Sequence, residues 1–472
     1  MKYIRESKKA KNDMLGIVLS CLYLFFTFLA YSELIPSIVN KGTLIAFLAY
    51  GAMAVFNKIV KGSFRFSSYS IWYGALIVYT LITFTFSEYP SEISSNHFYE
   101  MIVCFVITLL LANFVNTEKE FCWVCWSYVL SSFVMIVFLF ATGKMVGNYN
   151  ERLGNEAVGN ANVFATFIMY SVLYATWMLI FQNYSSKIKT FLVASIILDF
   201  YALMLSAGRK FFVIPFLFLY ILLLLRQRTT ILKNAIKWTV FMIAIIFGFY
   251  LLIYQIPVLY NAIGIRIEQM INSVTGGGRV DESTIIRAQM RRAAINGWLE
   301  RPLFGFGFNG FHNWRTMDLN MGGAHPYSHC NFTELLFNGG IVYFLFYYSF
   351  FVYSILGTLR NKENSSRCIS FTVAAVISQI ALDYGGVFYD VVTTQVFVMM
   401  AAHLPTITEK EAIPQNIESR HIYEKNYNLY RAYQKQSKGN RESDRCQSDK
   451  TKTNETCSGS SLFKNPIHTL HP

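Results

Sequence analysis

Long uninterrupted apolar blocks recur along the chain, and they restrict its fold more than any other feature. Each is close to the ~20 residues that an α-helix needs to cross roughly 30 Å of hydrocarbon. By that rule about twelve spans lie near 14–32, 42–57, 69–86, 97–115, 121–142, 161–182, 188–206, 210–225, 235–256, 331–358, 368–384 and 387–404. With 54% of residues hydrophobic and only 15% charged, the chain is more apolar than one soluble core requires. The expectation is an all-α, polytopic membrane protein. Its first block, MLGIVLSCLYLFFTFLAY, is too long for a signal peptide and has no small-residue cleavage site. It reads as a retained helix.

The formal charge of +13 does not call for nucleic acid, because cytoplasmic loops of membrane proteins collect lysine and arginine. Lys2, Arg5, Lys8, Lys9 and Lys11 precede the first span, and alternate connections carry Lys58, Lys61 and Arg65, then Lys119, Lys187 and Lys189. Further on, Arg226, Arg228, Lys233 and Lys237, and then Arg360, Lys362 and Arg367, continue the series, whereas SEYPSEISSN has no basic residue. Both termini are therefore expected in the cytoplasm. Residues 1–256 hold spans one to nine, 257–330 form one large extracytoplasmic loop with short helices, and 331–404 hold the last three spans. The polar segment 405–472 is expected to be a disordered cytoplasmic tail. Cys122 and Cys125 form a CxxC inside an apolar run, where small core residues are expected rather than zinc or redox chemistry.

The outer loop carries Arg266, Arg279, Arg287, Arg291, Arg292, Arg301 and Arg315 but no lysine. Topological bias works against positive charge there, so another cause is needed. Guanidinium holds phosphate or carboxylate bidentately and stays charged at any biological pH; about half of these groups are expected to be solvated or loosely paired instead. DESTIIRAQMRRAAINGWLERP reads as an amphipathic helix, with Ile286, Met290, Ala293, Ala294 and Trp298 at helical spacing and Arg287 and Arg291 one turn apart. Pro302 stops it, and GFGFNGF follows. That turn fits G-x-G-x-x-G by letter but follows a helix, so a dinucleotide site is not expected. Arg209 ends one apolar run and begins the next, close enough to hydrocarbon to cost a few kcal/mol unless it snorkels, is paired, or holds an anion in an outward-opening cavity.

The stretch AHPYSHCNFTELLFNGG at 324–340 places two histidines where the loop re-enters the membrane. Pro326 disfavours helix at His325, so His325 and His329 do not present two ligands on one helical face. With no evident third ligand, no zinc site is expected. No Asp-x-Asp metal motif occurs either, so a metal-independent site without cofactor is expected.

Several local patterns resemble the O-antigen ligase and O-antigen polymerase family of bacterial envelope enzymes. SAGR at 206–209 is similar to that family's Ser-x-Ser-Arg turn. Arg287, Pro302, Gly305, Gly307 and Phe311 fall at the spacing of its R…PL-x-G-x-G-x-x-x-F motif, and His329 and Gly340 at that of its His…Gly signature. ERLGNEAVGNANVFA resembles its Arg-x-x-Gly…Asn-x-x-Ala stretch through Arg152, Gly154, Asn162 and Ala165. Two departures stand out: Arg291 replaces a frequent aromatic, and Cys330 separates His329 from Asn331.

The resemblance implies a GT-C-like membrane glycosyltransferase in a bacterial cytoplasmic membrane, taking glycan from a polyprenyl-diphosphate carrier to an acceptor hydroxyl. The resemblance is closest to repeat-unit polymerases, so the expected acceptor is another lipid-linked unit, with a ligase acting on a lipid or protein acceptor as the alternative. Flippase and chain-length regulator proteins are implied partners. Such chemistry needs fixed cations for the departing diphosphate and a base or acceptor for the hydroxyl proton. Arg209 and Arg287 are the expected clamp and His329, titrating near working pH, the expected base. Arg291, Arg152, Asn331, His325 and Arg279 are the expected substrate contacts. A flippase reading predicts charges at mid-membrane and repeat symmetry, whereas here the charges collect in the outer loop.

Overall fold

Helices form where the apolar blocks lie, because a helix satisfies its own backbone groups and can then bury or expose any apolar face. In a computed structural model, the described residues are 2–407 apart from 31–33, 88–91, 148–150, 227–230, 276–281, 313, 315–326 and 362–364. The polar segment expected to be a disordered tail falls from 408 onward outside them. The first ten helices are α1 (Lys2–Leu29), α2 (Ser37–Val60), α3 (Ser68–Thr85), α4 (Glu92–Phe114), α5 (Glu118–Ala141), α6 (Asn155–Val158), α7 (Ala161–Phe181), α8 (Ser186–Leu205), α9 (Arg209–Leu225) and α10 (Ile231–Gln255). The long connection holds α11 (Pro257–Leu259), a π-helical turn (Tyr260–Gly264), α12 (Ile265–Thr275), α13 (Glu282–Glu300) and a 3₁₀ turn (Gly310–His312). Then come α14 (Asn331–Arg360), α15 (Ser366–Asp383) and α16 (Val392–Ile407).

Each of the twelve expected spans falls on one of these helices. Among the described residues, eight helices are long and apolar enough to cross a membrane, and no strand occurs. The protein is an all-α, multi-pass membrane protein. Its core runs along α7, which is buried on nearly every side from Ala161 to Met178 and packs on α5, α8 and α9. A helix apolar all round needs such surroundings. By contrast, α2 and α10 leave most of their apolar surface uncovered, as helices facing lipid do. Cys122 and Cys125 are buried free thiols in α5.

The expected amphipathic helix is α13. Met290 and Ala294 are buried with Phe306, Phe311, Trp314 and Phe337, and Ile286 and Ala293 pack at the edge of that cluster. The cluster ties the loop to α14, which breaks at Gly340 (φ 67°, ψ −166°). Backbone groups freed by the break do not stay unpaired, since an orphaned amide inside a membrane protein is costly. Ile341 N donates to Pro302 O at 2.8 Å, Phe306 N to Phe337 O at 2.9 Å and Gly307 N to Asn338 O at 2.9 Å. The PLFGFG segment thus docks edge-on against the interrupted helix. A Cβ on Gly305 would lie 2.3 Å from Phe337 O, and Phe308 beyond it packs edge-on to Phe84, Phe98 and Tyr389. The loop therefore spans from α13 across α14 to the start of α4.

Candidate functional site

At the end of the bundle that carries the long connection, two adjacent cavities share Asn162, Lys210, Phe211, Arg287, His329 and Gly385. The larger has a volume of about 680 Å³, within the range of about 300–1,000 Å³ typical of ligand sites. The smaller, about 150 Å³, is lined by Arg152, Arg209, Lys210, Arg266, Arg287, Arg291 and His329. Basic residues from four separate parts of the chain thus meet around one space.

Each basic side chain is held differently. The three-residue turn between α8 and α9 has Ala207 in the left-handed region (φ 54°), and this places Arg209 at the first turn of α9. Its Nη1 donates to Arg266 O at 3.2 Å and its Nη2 to Thr284 Oγ1 at 3.0 Å. Arg152 Nε donates to Ser206 O at 2.7 Å, and its Nη2 to Asn162 Oδ1 at 3.0 Å. Lys210 donates to Gly385 O at 2.5 Å and lies over the rings of Phe211 and Phe388. Arg291 lies over the Tyr384 ring, 5.3 Å from its centroid. Arg287 is half-buried and lines both cavities, yet no hydrogen bond or ion pair engages it among the described residues. It is therefore open to an anionic ligand, as a desolvated cation without a partner would favour.

His329 is also left-handed (φ 55°), a conformation few non-glycine residues adopt. Its ring stacks obliquely on Tyr327 with centroids 3.8 Å apart. Next to it, Ser328 N donates to Glu334 Oε2 at 2.8 Å, and this carboxylate ties the loop end to the first turn of α14. Burial, together with the charges of Arg287, Lys210 and Arg291, pushes the His329 imidazole down to about 3. The expectation that it titrates near working pH is thereby corrected: burial first, and then the nearby cations, keep His329 neutral there.

That shift has a consequence for stability. Between the ordinary value of 6.5 and about 3, the unfolded chain binds a proton at this residue and the folded chain does not, so stability falls as pH falls through that window. His329→Asn keeps a side chain that tolerates φ near 55° and removes the titration. Its thermal midpoint in detergent is expected to fall less than that of the wild type on acidification from about pH 7 to about pH 5. Parallel curves would show that the imidazole does not sit in this cationic field.

Not every expected site residue joins the cavities. Asn331 is fully buried and used inside the bundle: its Nδ2 lies 3.1 Å from Tyr348 Oη and 3.4 Å from Asp383 Oδ2, and its Oδ1 accepts from Phe388 N at 3.4 Å. It lines neither cavity, so its expected substrate contact is replaced by a packing role. His325 and Arg279 lie outside the described residues. Reasoning from sequence passed over Lys210, Asn309 and His312, which line the cavities, and also His97, Glu100 and Asp390 on the far wall. The signal available was a lysine beside Arg209 and two ionisable groups one turn apart at the start of a span.

Residues 194–348 match the family model described as O-antigen ligase. Over that stretch the chain is similar to the O-antigen ligase family. The match takes in Arg209, Lys210, Arg266, Arg287, Arg291 and His329, so the matched segment supplies most of the cationic residues of the site. Arg152 and the far wall come from outside it. No curated protein matches the chain.

Proposed function

We propose that this protein is an oligosaccharide repeat-unit polymerase working on the outer face of a bacterial cytoplasmic membrane. It transfers glycan from a polyprenyl-diphosphate carrier to a sugar hydroxyl of a second lipid-linked unit. The observation that carries the reading is the cationic cavity, with Arg287 unengaged at its centre and Arg209, Arg266, Arg291 and Lys210 around it. A diphosphate leaving group develops negative charge as its bond to the sugar breaks, and preorganised cations in a partly dry site stabilise that charge most. Neutral His329 offers a hydrogen bond to the bound phosphate or sugar, and an anion there offsets the field that keeps it unprotonated. The energy for transfer lies in the diphosphate linkage itself, so no nucleotide is needed on the outer face. The site residues assemble without metal or cofactor in this scheme, and both chain termini lie in the cytoplasm.

The family description favours a second reading, in which finished polysaccharide is moved to a lipid or protein acceptor. The glycan of a deletion strain separates the two. Loss of a polymerase is expected to leave single repeat units on the carrier. Long chains accumulating on the carrier would indicate a ligase, and unchanged surface glycan would remove both readings. A flippase and a chain-length regulator are the proposed partners of the polymerase.

A further inference from the structure

The larger cavity has a second charged wall of opposite sign. His97 and Glu100, one turn apart on α4, line it together with Asp390 from the connection between α15 and α16. His97 Nδ1 lies 2.5 Å from Asp390 Oδ2 and 3.6 Å from Glu100 Oε2. An imidazole nitrogen that close to a carboxylate carries the proton and donates it, so His97 and Asp390 satisfy each other. Asp390 is nearly buried, at 5% exposed, whereas the Glu100 side chain is 56% exposed. Both carboxylates line the cavity, and Glu100 is by far the more exposed of the two.

The two other candidates for proton acceptor are poorly suited. A proton on His329 would add positive charge beside Arg287, Lys210 and Arg291. Glu334 lines the cavity but is buried, with Oε2 taken by Ser328 N and Oε1 facing Asn338 Nδ2 at 3.5 Å. A cation between His97 and Asp390 is disfavoured as well. Two ligand atoms bound to one metal at roughly 2.0–2.5 Å each sit further apart than a hydrogen-bonded pair. Thr393, which lines the same cavity and is 3% exposed, has a hydroxyl with no hydrogen-bond partner.

We infer that Glu100 is the catalytic residue that takes the proton of the acceptor hydroxyl, held by His97 and Asp390 as a positioning pair, so that the acceptor glycan occupies the α4 side of the cavity. This rests on the glycan-transfer reading above. In the step, the acceptor oxygen forms the new bond to the anomeric carbon as the bond to the phosphate oxygen breaks. The electron pair leaves on the diphosphate against Arg287, and the hydroxyl proton passes to the Glu100 carboxylate. Donor and acceptor are thus sorted by charge within the cavity.

The test uses the full-length protein in nanodiscs, with the lipid-linked glycan that accumulates in the deletion strain as donor and a soluble glycoside of the same repeat as acceptor. Glu100→Gln is expected to lower kcat for transfer at least about 100-fold, in keeping with the loss of a general base, while donor Kd stays within about twofold. Glu100→Asp is expected to recover part of the rate. Asp390→Asn is expected to lower kcat and raise the acceptor KM with the donor KM unchanged, a split that loss of packing alone would not produce. Glu100→Gln transferring within about threefold of the wild type would overturn the inference, as would its losing donor binding along with transfer. A wild-type protein that transfers nothing from this donor overturns the glycan-transfer reading itself.

Discussion

Arg287→Ala is expected to lower glycan transfer at least about 100-fold at unchanged expression, the scale seen when one preorganised stabiliser of transition-state charge is removed. The reason is specific to its surroundings. Arg209 and Arg152 already donate to Thr284 and Asn162 and to backbone carbonyls, and Lys210 donates to Gly385 O. Those groups must give up a bond to turn toward a ligand; Arg287 need not. Arg287→Lys keeps the charge but loses the planar fork, and so should recover only part of the rate. The measurement is initial transfer rate from lipid-linked donor, with donor binding followed separately. On the proposed reading, in which the guanidinium acts on a leaving diphosphate, both quantities should suffer in the alanine variant. An alanine variant that transfers at the wild-type rate would remove the clamp from the mechanism.

Gly340→Ala should be the most damaging single-methyl change in α14. The glycine sits at φ 67° and ψ −166°, a region essentially closed to other residues, at a cost of about 1–3 kcal/mol for the backbone alone. A Cβ there would also lie 2.2 Å from Leu303 O and 2.5 Å from Phe304 N. Either α14 straightens or the PLFGFG segment lifts away. Both outcomes unpair the bonds to Pro302, Phe337 and Asn338 and free the loop that carries Asn309 and His312 to the cavity. Loss of folded yield in detergent and of transfer activity are the expected readouts. Gly357→Ala, in the same helix with nothing within 4 Å of the added carbon, should behave as wild type. Equal thermal midpoints for the two variants would mean that the break in α14 is not a fixed feature.

Much of the fold was legible because it depends on neighbours in the chain. Apolar length located the spans, and the 3.6-residue period from Ile286 to Trp298 located α13 to within a residue or two. The glycines of PLFGFG and FNGG were visible as a pattern, but their cause was not: Gly305 approaches the backbone of Phe337, Asn338 and Gly339, and Gly340 that of Leu303 and Phe304. Asn331 shows the opposite failure. Two positions from His329 in sequence, it was expected in the same site. The left-handed turn at His329 and the start of α14 at Asn331 send the two side chains to different places, one to the cavity and one into the bundle beside Asp383 and Tyr348.

Glu100 and Asp390 were missed for a related reason. Each is an ordinary acidic residue near a span end, and only their meeting through His97 across 290 residues of chain makes them a group. His329 lines the cavities but changed character, since its proton affinity is lowered by burial and then by Arg287, Lys210 and Arg291.

Read as a string, the amino acids of this protein determined that it is helical, that it crosses a membrane many times, and that arginine gathers in one long connection. Span length, period and charge bias are one-dimensional quantities, so a string suffices for them. Only the tertiary structure decided which arginines line the cavity, which histidine is surrounded by cations and which by carboxylates, and which asparagine is spent on packing. Electrostatic fields and hydrogen-bond satisfaction depend on distances of a few ångströms, and those distances exist only once the helices have packed.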